Sequence, residues 1–377
     1  MEPVDALVKW ATARGVELNG IQPKLLAGRG LGIVATRPLK PGDTVLSVPA
    51  ALLRSLGNTP KPVVRRLDGA SVHAILAAAL CLDDSPDFDL WRAVLPSPAT
   101  VRAAMPLCWP RELQLLLPPA AKALLDSQCA KLDRDWALVA AAYSDSRIPR
   151  LDFVYAWALV NSRTFYHTTP RTLARLPHDD HMVLQPVADL FNHTPHAAAG
   201  CSVAFDSRGY TFTAACAYKP GQELLIRYGA HSNDHLLVEY GFTLDSHPED
   251  AILLDPYLCP VFIAPQRHLL RQSHFWQRYI LGSDEPCYRT LTALRLLCLS
   301  TTQWRAVLDG SRDEDHDRDA VHAQLLKLLF QLQKDVRSKL AQLHRIKAGT
   351  PAMRTSLRTR WLQIKNLIMA HVSRLEA

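Results

Sequence analysis

The chain has 377 residues, 48% hydrophobic and 21% charged, with a formal net charge of +7, which is length and apolar content enough for two or three packed units of ordinary globular composition. The compact charge run Arg312–Asp319 is mostly acidic and no Lys/Arg-rich block stands out, so the positive balance reads as a basic surface and direct nucleic-acid binding is disfavoured. Met1-Glu2-Pro3-Val4-Asp5 lacks the regions of a signal peptide, no apolar stretch reaches the roughly 18 residues of a membrane span, and the cysteines at 81, 108, 129, 201, 216, 259, 287 and 298 form no CxxC pair, which excludes zinc-ribbon spacing and predicts reduced thiols in a cytoplasmic and/or nuclear protein.

In chain order, residues 3–19 predict a short amphipathic helix, with Val4, Leu7, Val8 and Ala11 at helical spacing. Gly28-Arg29-Gly30-Leu31-Gly32 then runs into the β-branched Ile33-Val34, a strand closed by Pro38 and the Lys40-Pro41-Gly42-Asp43 turn. Thr44–Val48 reads as the second strand of a hairpin with it. Residues 70–147 predict helices: Ser71 caps Val72–Leu82, Trp91–Leu95 forms a turn, and Leu113–Leu117 and Ala120–Tyr143 continue the pattern between breaking prolines. A further helix spans Asp152–Thr164. Strand character returns at Val203–Phe205, Tyr210–Ala214 and Glu223–Tyr228, with Ser207-Arg208-Gly209 as a hairpin connection. Ser232–Glu239 predicts a short helix. Strands, a helical insert and strands again describe one β-rich domain interrupted by helices. In the last third, Val321, Leu325, Leu328, Leu329, Leu332, Val336, Leu340 and Leu343 form one helical stripe, and Leu357–Leu375 is a second long helix beyond the Gly349-Thr350-Pro351 break. These two helices predict an antiparallel pair in a separate domain, its stripe serving packing or a protein-docking groove.

Three stretches carry chemistry. The glycine loop opens a strand rather than a helix, which argues against a nicotinamide-type dinucleotide turn and leaves a hairpin turn or a polar-ligand loop. In Val187-Ala188-Asp189-Leu190-Phe191-Asn192-His193-Thr194-Pro195, the residues Asp189, His193 and His196 lack a second cluster at ligand spacing, so a metal site is disfavoured against a loop that satisfies its own backbone. Tyr228, at a strand end before Gly229, and Tyr240, before Gly241, are read either as core or rim residues or as the lining of a narrow polar channel.

Taken in order, Arg29-Gly30-Leu31-Gly32, Asn161-Ser162-Arg163-Thr164-Phe165, Ala188-Asp189-Leu190-Phe191-Asn192-His193, Ile226-Arg227-Tyr228-Gly229 and Glu239-Tyr240-Gly241-Phe242 resemble the SET-domain protein methyltransferases of the Rubisco large-subunit methyltransferase type. The likeness covers roughly residues 20–245; the last third matches in pattern alone. It implies an α+β fold: a β-rich SET domain of short strands in two parts, 1–57 and 151–250, a helical insertion at 58–150, and a helical substrate-docking domain at 251–377. It implies S-adenosylmethionine as cofactor, no metal, and a non-histone protein substrate with a target lysine. By the same resemblance, Asn192 and His193 bind the adenine end through backbone groups, and Arg29, Gly30 and Leu31 meet the cofactor through main chain. Arg163 faces the cofactor's carboxylate and Asp189 shapes the site. Tyr228 is the catalytic tyrosine and also borders the cofactor, with Tyr240 flanking cofactor or channel. Arg29 departs from related enzymes, which often carry an acid there. The competing readings are a histidine methyltransferase and a non-catalytic SET-like interaction protein.

Overall fold

The computed structural model describes residues 2–144 and 147–376. Met1, Asp145, Ser146 and Ala377, which fall within the predicted domain ranges and, for two of them, the 70–147 helical stretch, lie outside the described residues. The chain forms two compact units, one from residues 1–102 and 127–230, the other from 103–126 and 231–377. No helix among the described residues is long and apolar enough to cross a membrane.

The first unit is built on short strands: β1 Glu17–Leu18, β2 Ile21–Leu26, β3 Gly30–Ala35, β4 Thr44–Pro49, β5 Phe165–Tyr166, β6 Met182–Val183, β7 Asn192–His193, β8 Cys201–Asp206, β9 Gly209–Ala214 and β10 Glu223–Ile226. Hydrogen bonding orders most of them β1-β4-β9-β8-β10-β3-β2, with β7 added beside β10, while β5 and β6 pair separately. The glycine loop is the turn of a β2–β3 hairpin in the register Ile21↔Ala35 to Leu26↔Gly30. Ile21–Pro23 therefore lie within a strand, and Pro23 is tolerated there because β2 is at the sheet edge. The expected hairpin between β3 and β4 does not form: β4 pairs with β1 and β9, and β3 with β2 and β10. The Lys40–Asp43 turn closes locally, Asp43 Oδ2 accepting Lys40 N–H, but Leu39 just before it bridges to Tyr218 and carries the chain away from β3. The β8–β9 hairpin turns at Ser207-Arg208 as expected, with Asp206 opposite Gly209.

Alternation places Tyr210, Phe212 and Ala214 of β9 inward, and Phe212 stacks on Phe191 at 5.2 Å between ring centres. Burying one such ring contributes about 1.5–3 kcal/mol. In the insert, Ser71 caps the helix Val72–Cys81 by accepting Ala74 N–H at 3.0 Å. The helix is apolar on nearly all sides and contacts the helix Arg150–Arg163. Ser71 also donates to Asp135, whose other oxygen takes Trp157 Nε1–H at 2.8 Å.

His73 lies flat on Trp157 at 4.1 Å and is bonded through Nε2 to that residue's carbonyl oxygen. Burial, with Lys131 adding, drives its pKa from 6.5 down to about 3. The unfolded chain thus takes up this proton first, so the stability is complete above pH 6.5 and is lost as pH falls toward 3. From pH 7 to pH 5 the loss expected from His73 alone is about 2 kcal/mol. Urea titrations at both pH values measure it. His73→Phe should flatten the dependence, and an unchanged slope in that variant would exclude His73 as its source.

The second unit holds the antiparallel pair β11 Ala251–Leu253 and β12 Ile280–Gly282 among helices. The helices Arg318–Arg345 and Pro351–Glu376 pack on each other as the stripe predicts, burying Leu325, Leu329, Leu332 and Val336 on one and Leu357, Trp361, Ile364 and Ile368 on the other. The helix expected over Ser232–Glu239 is mixed and shifted by one residue: Asn233–His235 is α-helical and Leu236–Tyr240 is a π-helical turn. Gly241 ends it at φ 81°, a left-handed cap that glycine adopts without steric cost.

Candidate active site in the first unit

β10 is the strand on which the site is assembled. β3 lies antiparallel along its start, with Glu223 opposite Val34, and β7 lies parallel along its end, with Leu225 opposite Asn192 and Ile226 opposite His193. β8 returns beside the same Ile226 through Cys201. The predicted strand Glu223–Tyr228 stops at Ile226, whose carbonyl accepts Thr194 N–H at 2.9 Å. Two residues on, Tyr228 N–H turns to a side chain and bonds His193 Nδ1 at 3.1 Å. An accepting Nδ1 fixes the imidazole as the neutral tautomer protonated on Nε2.

The Tyr228 hydroxyl donates to the Phe191 carbonyl at 2.6 Å, and its ring lies 5.0 Å from that of His193. Phe191 is itself held by its stack on Phe212. The segment that supplies Phe191, Asn192 and His193 begins in strain. Val187, β-branched and fully buried, sits at φ 71° and ψ −48°, a backbone state costing about 1–3 kcal/mol that clusters at functional sites.

Asp189 has a fully buried side chain and faces Arg163, the last residue of the helix Arg150–Arg163. Arg163 uses one terminal nitrogen to reach the Asp189 carbonyl at 2.7 Å and its Oδ2 at 3.4 Å, and Trp91 Nε1–H reaches the same Oδ2 at 3.2 Å. Burial pushes the Asp189 carboxyl above its ordinary range, with Arg163 and Trp91 pulling the other way. The other oxygen, Oδ1, is buried without a hydrogen-bond partner among the described residues.

Asn192 Nδ2 donates to Glu223 Oε1 at 2.8 Å and to the Leu31 carbonyl at 3.3 Å. Arg29 pairs with the second oxygen of Glu223 at 2.5 Å. Gly32 makes room for this convergence: a Cβ there would stand 2.9 Å from both Asn192 Nδ2 and Glu223 Oε1 and 2.5 Å from Leu26.

The sequence-derived residues Arg29, Gly30, Leu31, Asn192, His193 and Tyr228 thus gather around β10, and Arg163 with Asp189 joins them through the 187–193 segment. Tyr240 belongs to the second unit, where its ring lies 6.1 Å from His231 and 6.3 Å from His235, and burial, with Glu239 adding, lifts its pKa to about 12. Sequence reasoning missed Glu223, Trp91 and the Phe191 carbonyl. Only Glu223 carried a signal, as an acid opening an apolar strand. Among the described residues no group of three or more His, Cys, Asp or Glu could hold a metal ion.

Comparison with known families matches residues 30–229 to the SET domain and residues 252–374 to the "Ribosomal lysine N-methyltransferase 2 C-terminal domain". SET domain-containing protein 4 of Mus musculus is 26% identical over 381 residues, covering 93% of this chain and 86% of the relative. Ribosomal lysine N-methyltransferase set11 of Schizosaccharomyces pombe is 31% identical over 193 residues, covering 48% of each. A crystal structure of the SET domain of LSMT bound to lysine and AdoHcy superposes with a TM-score of 0.62 at 19% identity, covering 99% of this chain and 91% of that one, a likeness that establishes the fold.

Proposed function

Because the chain belongs to the SET-domain family, we propose that it is an S-adenosylmethionine-dependent protein-lysine N-methyltransferase acting on a non-histone protein. The observation that carries this reading is the Tyr228 hydroxyl anchored on Phe191, beside the Asn192-His193 segment and the glycine loop.

The residues present suit the cofactor. A part-exposed guanidinium at Arg163, held by one nitrogen, leaves the rest of its fork for a carboxylate. The orphaned Asp189 oxygen beside it completes a donor–acceptor set suited to an amino-acid zwitterion. The main chain of residues 29–31 and 192–193 is assigned to the rest of the cofactor, as in the resemblance. When bound, the cofactor supplies a methyl group on a sulfonium, an electrophile that needs no activation.

What remains for the protein is to hold an amine in line with that methyl group. A lysine is protonated at neutral pH and must lose its proton before attack; a site that excludes water favours the neutral amine. The Tyr228 oxygen, its own proton held by Phe191, accepts an N–H of the incoming amine and turns the nitrogen lone pair toward the methyl group. The helices Arg318–Arg345 and Pro351–Glu376 are assigned to docking the substrate; what supports this is their match to the C-terminal domain of a ribosomal lysine methyltransferase. Work in the cytoplasm and/or nucleus rests on the scattered cysteines.

Incubating the purified protein with a cell extract and isotopically labelled S-adenosylmethionine, followed by mass spectrometry, tests the reading. Label on a lysine Nε of a non-histone protein is the expected result. Label confined to a histidine ring, or cofactor binding with no labelled protein, would replace it with one of the two alternatives.

A further inference from the structure

We propose that Glu223 is a positioning residue for methyl transfer, its carboxylate clamping the glycine loop to the Asn192 segment through an ion pair with Arg29. The inference rests on the assignment of main chain at 29–31 and 192–193 to the cofactor, and goes beyond it by saying what fixes those two stretches relative to each other.

Glu223 opens β10 with its side chain only 14% exposed. One oxygen accepts Asn192 Nδ2–H and the other pairs with Arg29, so a single carboxylate joins residues separated by 31 and 194 positions in sequence. The Asn192 amide then reaches the Leu31 carbonyl, closing a ring of contacts through loop, strand and motif. The backbone repeats the arrangement, since β10 is the strand to which β3 and β7 both pair. Gly32 keeps the space at the centre open.

A site that binds its ligand through main chain has no side chain to adjust on the ligand, so its geometry is set by what holds the loops. In this chain that holder is a charge pair. An acid at position 29 would instead face the Glu223 carboxylate at contact distance, a like-charge approach. Arg29 is thus half of a lock across the site, and its counterpart is Glu223. Its side chain is 61% exposed, so the pair adds little to folding; its consequence falls on the placement of the loop.

Calorimetric titration with S-adenosylhomocysteine, alongside thermal melts, tests the clamp in wild type, Glu223→Gln, Arg29→Ala, Arg29→Glu and the exchanged pair Arg29→Glu with Glu223→Arg. Arg29→Glu should weaken binding by about tenfold, equivalent to ~1.4 kcal/mol, and more than Arg29→Ala. The exchanged pair should recover part of that loss, and melting temperatures of the Arg29 variants should stay within about 2 °C of wild type. In turnover, KM for the cofactor should rise more than kcat falls. Arg29→Glu binding as tightly as wild type would overturn the clamp while leaving the methyltransferase reading intact. Wild type that binds no cofactor would overturn the reading and the clamp with it. Should Glu223 variants fail to fold, the surface-lying Arg29 pair decides alone.

Discussion

Tyr228→Phe is expected to lower the rate of methyl transfer by about 100- to 1,000-fold, the range seen when one preorganised donor or acceptor is removed from a reacting centre. Cofactor affinity should stay within about threefold, because the ring, its contact with His193 and the backbone N–H to His193 Nδ1 all survive the change. What goes is the hydroxyl, together with its bond to the Phe191 carbonyl. That bond sets the phenol's direction, with its proton pointing at Phe191. A loss in kcat with unchanged cofactor binding assigns Tyr228 to the reaction, since an interaction made only in the transition state lowers kcat and kcat/KM together. A matching loss in calorimetric affinity for S-adenosylhomocysteine would reassign Tyr228 to cofactor binding, and full turnover would remove it from the mechanism.

The parts of this arrangement that were legible in the sequence are those with a local signal. The Ser71 cap, the Ser207-Arg208 hairpin and the two long C-terminal helices each follow from residues within a few positions of one another, through side-chain capping, turn geometry or the 3.6-residue stripe. The glycine loop declared that it opens a strand because Ile33-Val34 follow it. Non-local pairings were not legible. β3 and β4 are neighbours in sequence and partners of other strands, because Leu39 bridges to Tyr218 before the turn. β5, β6 and β7 span two residues each, too short for any periodicity, and they exist only because other parts of the chain supply their hydrogen bonds. The candidate site shows the same division. Motif order located Tyr228, Asn192, His193, Asp189 and Arg163, while Glu223 and Trp91 owe their places to contacts across 31 and 98 positions. The π-helical turn at Leu236–Tyr240 was read as an ordinary short helix, since a widened turn leaves the apolar pattern of Leu236, Leu237 and Val238 unchanged.

Arg360→Leu is expected to destabilise the second unit by about 3–5 kcal/mol, the cost of leaving buried charge without its partner. Arg360 is fully buried, its Nε bonded to Asp234 Oδ1 and one terminal nitrogen to Asp250 Oδ2, both at 2.7 Å, and the other terminal nitrogen to the Ala251 carbonyl at 3.3 Å. The two carboxylates are nearly inaccessible, and Asp250 further accepts the backbone and side-chain N–H groups of Asn233 at 3.1 Å. Asn233 in turn exchanges hydrogen bonds with the backbone of Leu244. One guanidinium on the last helix therefore organises the segment from Asn233 to Ala251, which carries Tyr240. For a unit of this size the loss corresponds to a drop in melting temperature of roughly 2–4 °C per kcal/mol, near 10 °C in all. Arg360→Lys should fall in between, since an ammonium cannot span two carboxylates and a carbonyl in one plane. Combining Arg360→Leu with Asp234→Asn and Asp250→Asn should restore part of the stability, because the neutral amides no longer require a cation. If Arg360→Leu melted like wild type, the network would be a bystander to folding, and the positioning of the Tyr240 segment would have to be sought in the apolar contacts of Leu236, Leu237 and Val238 instead.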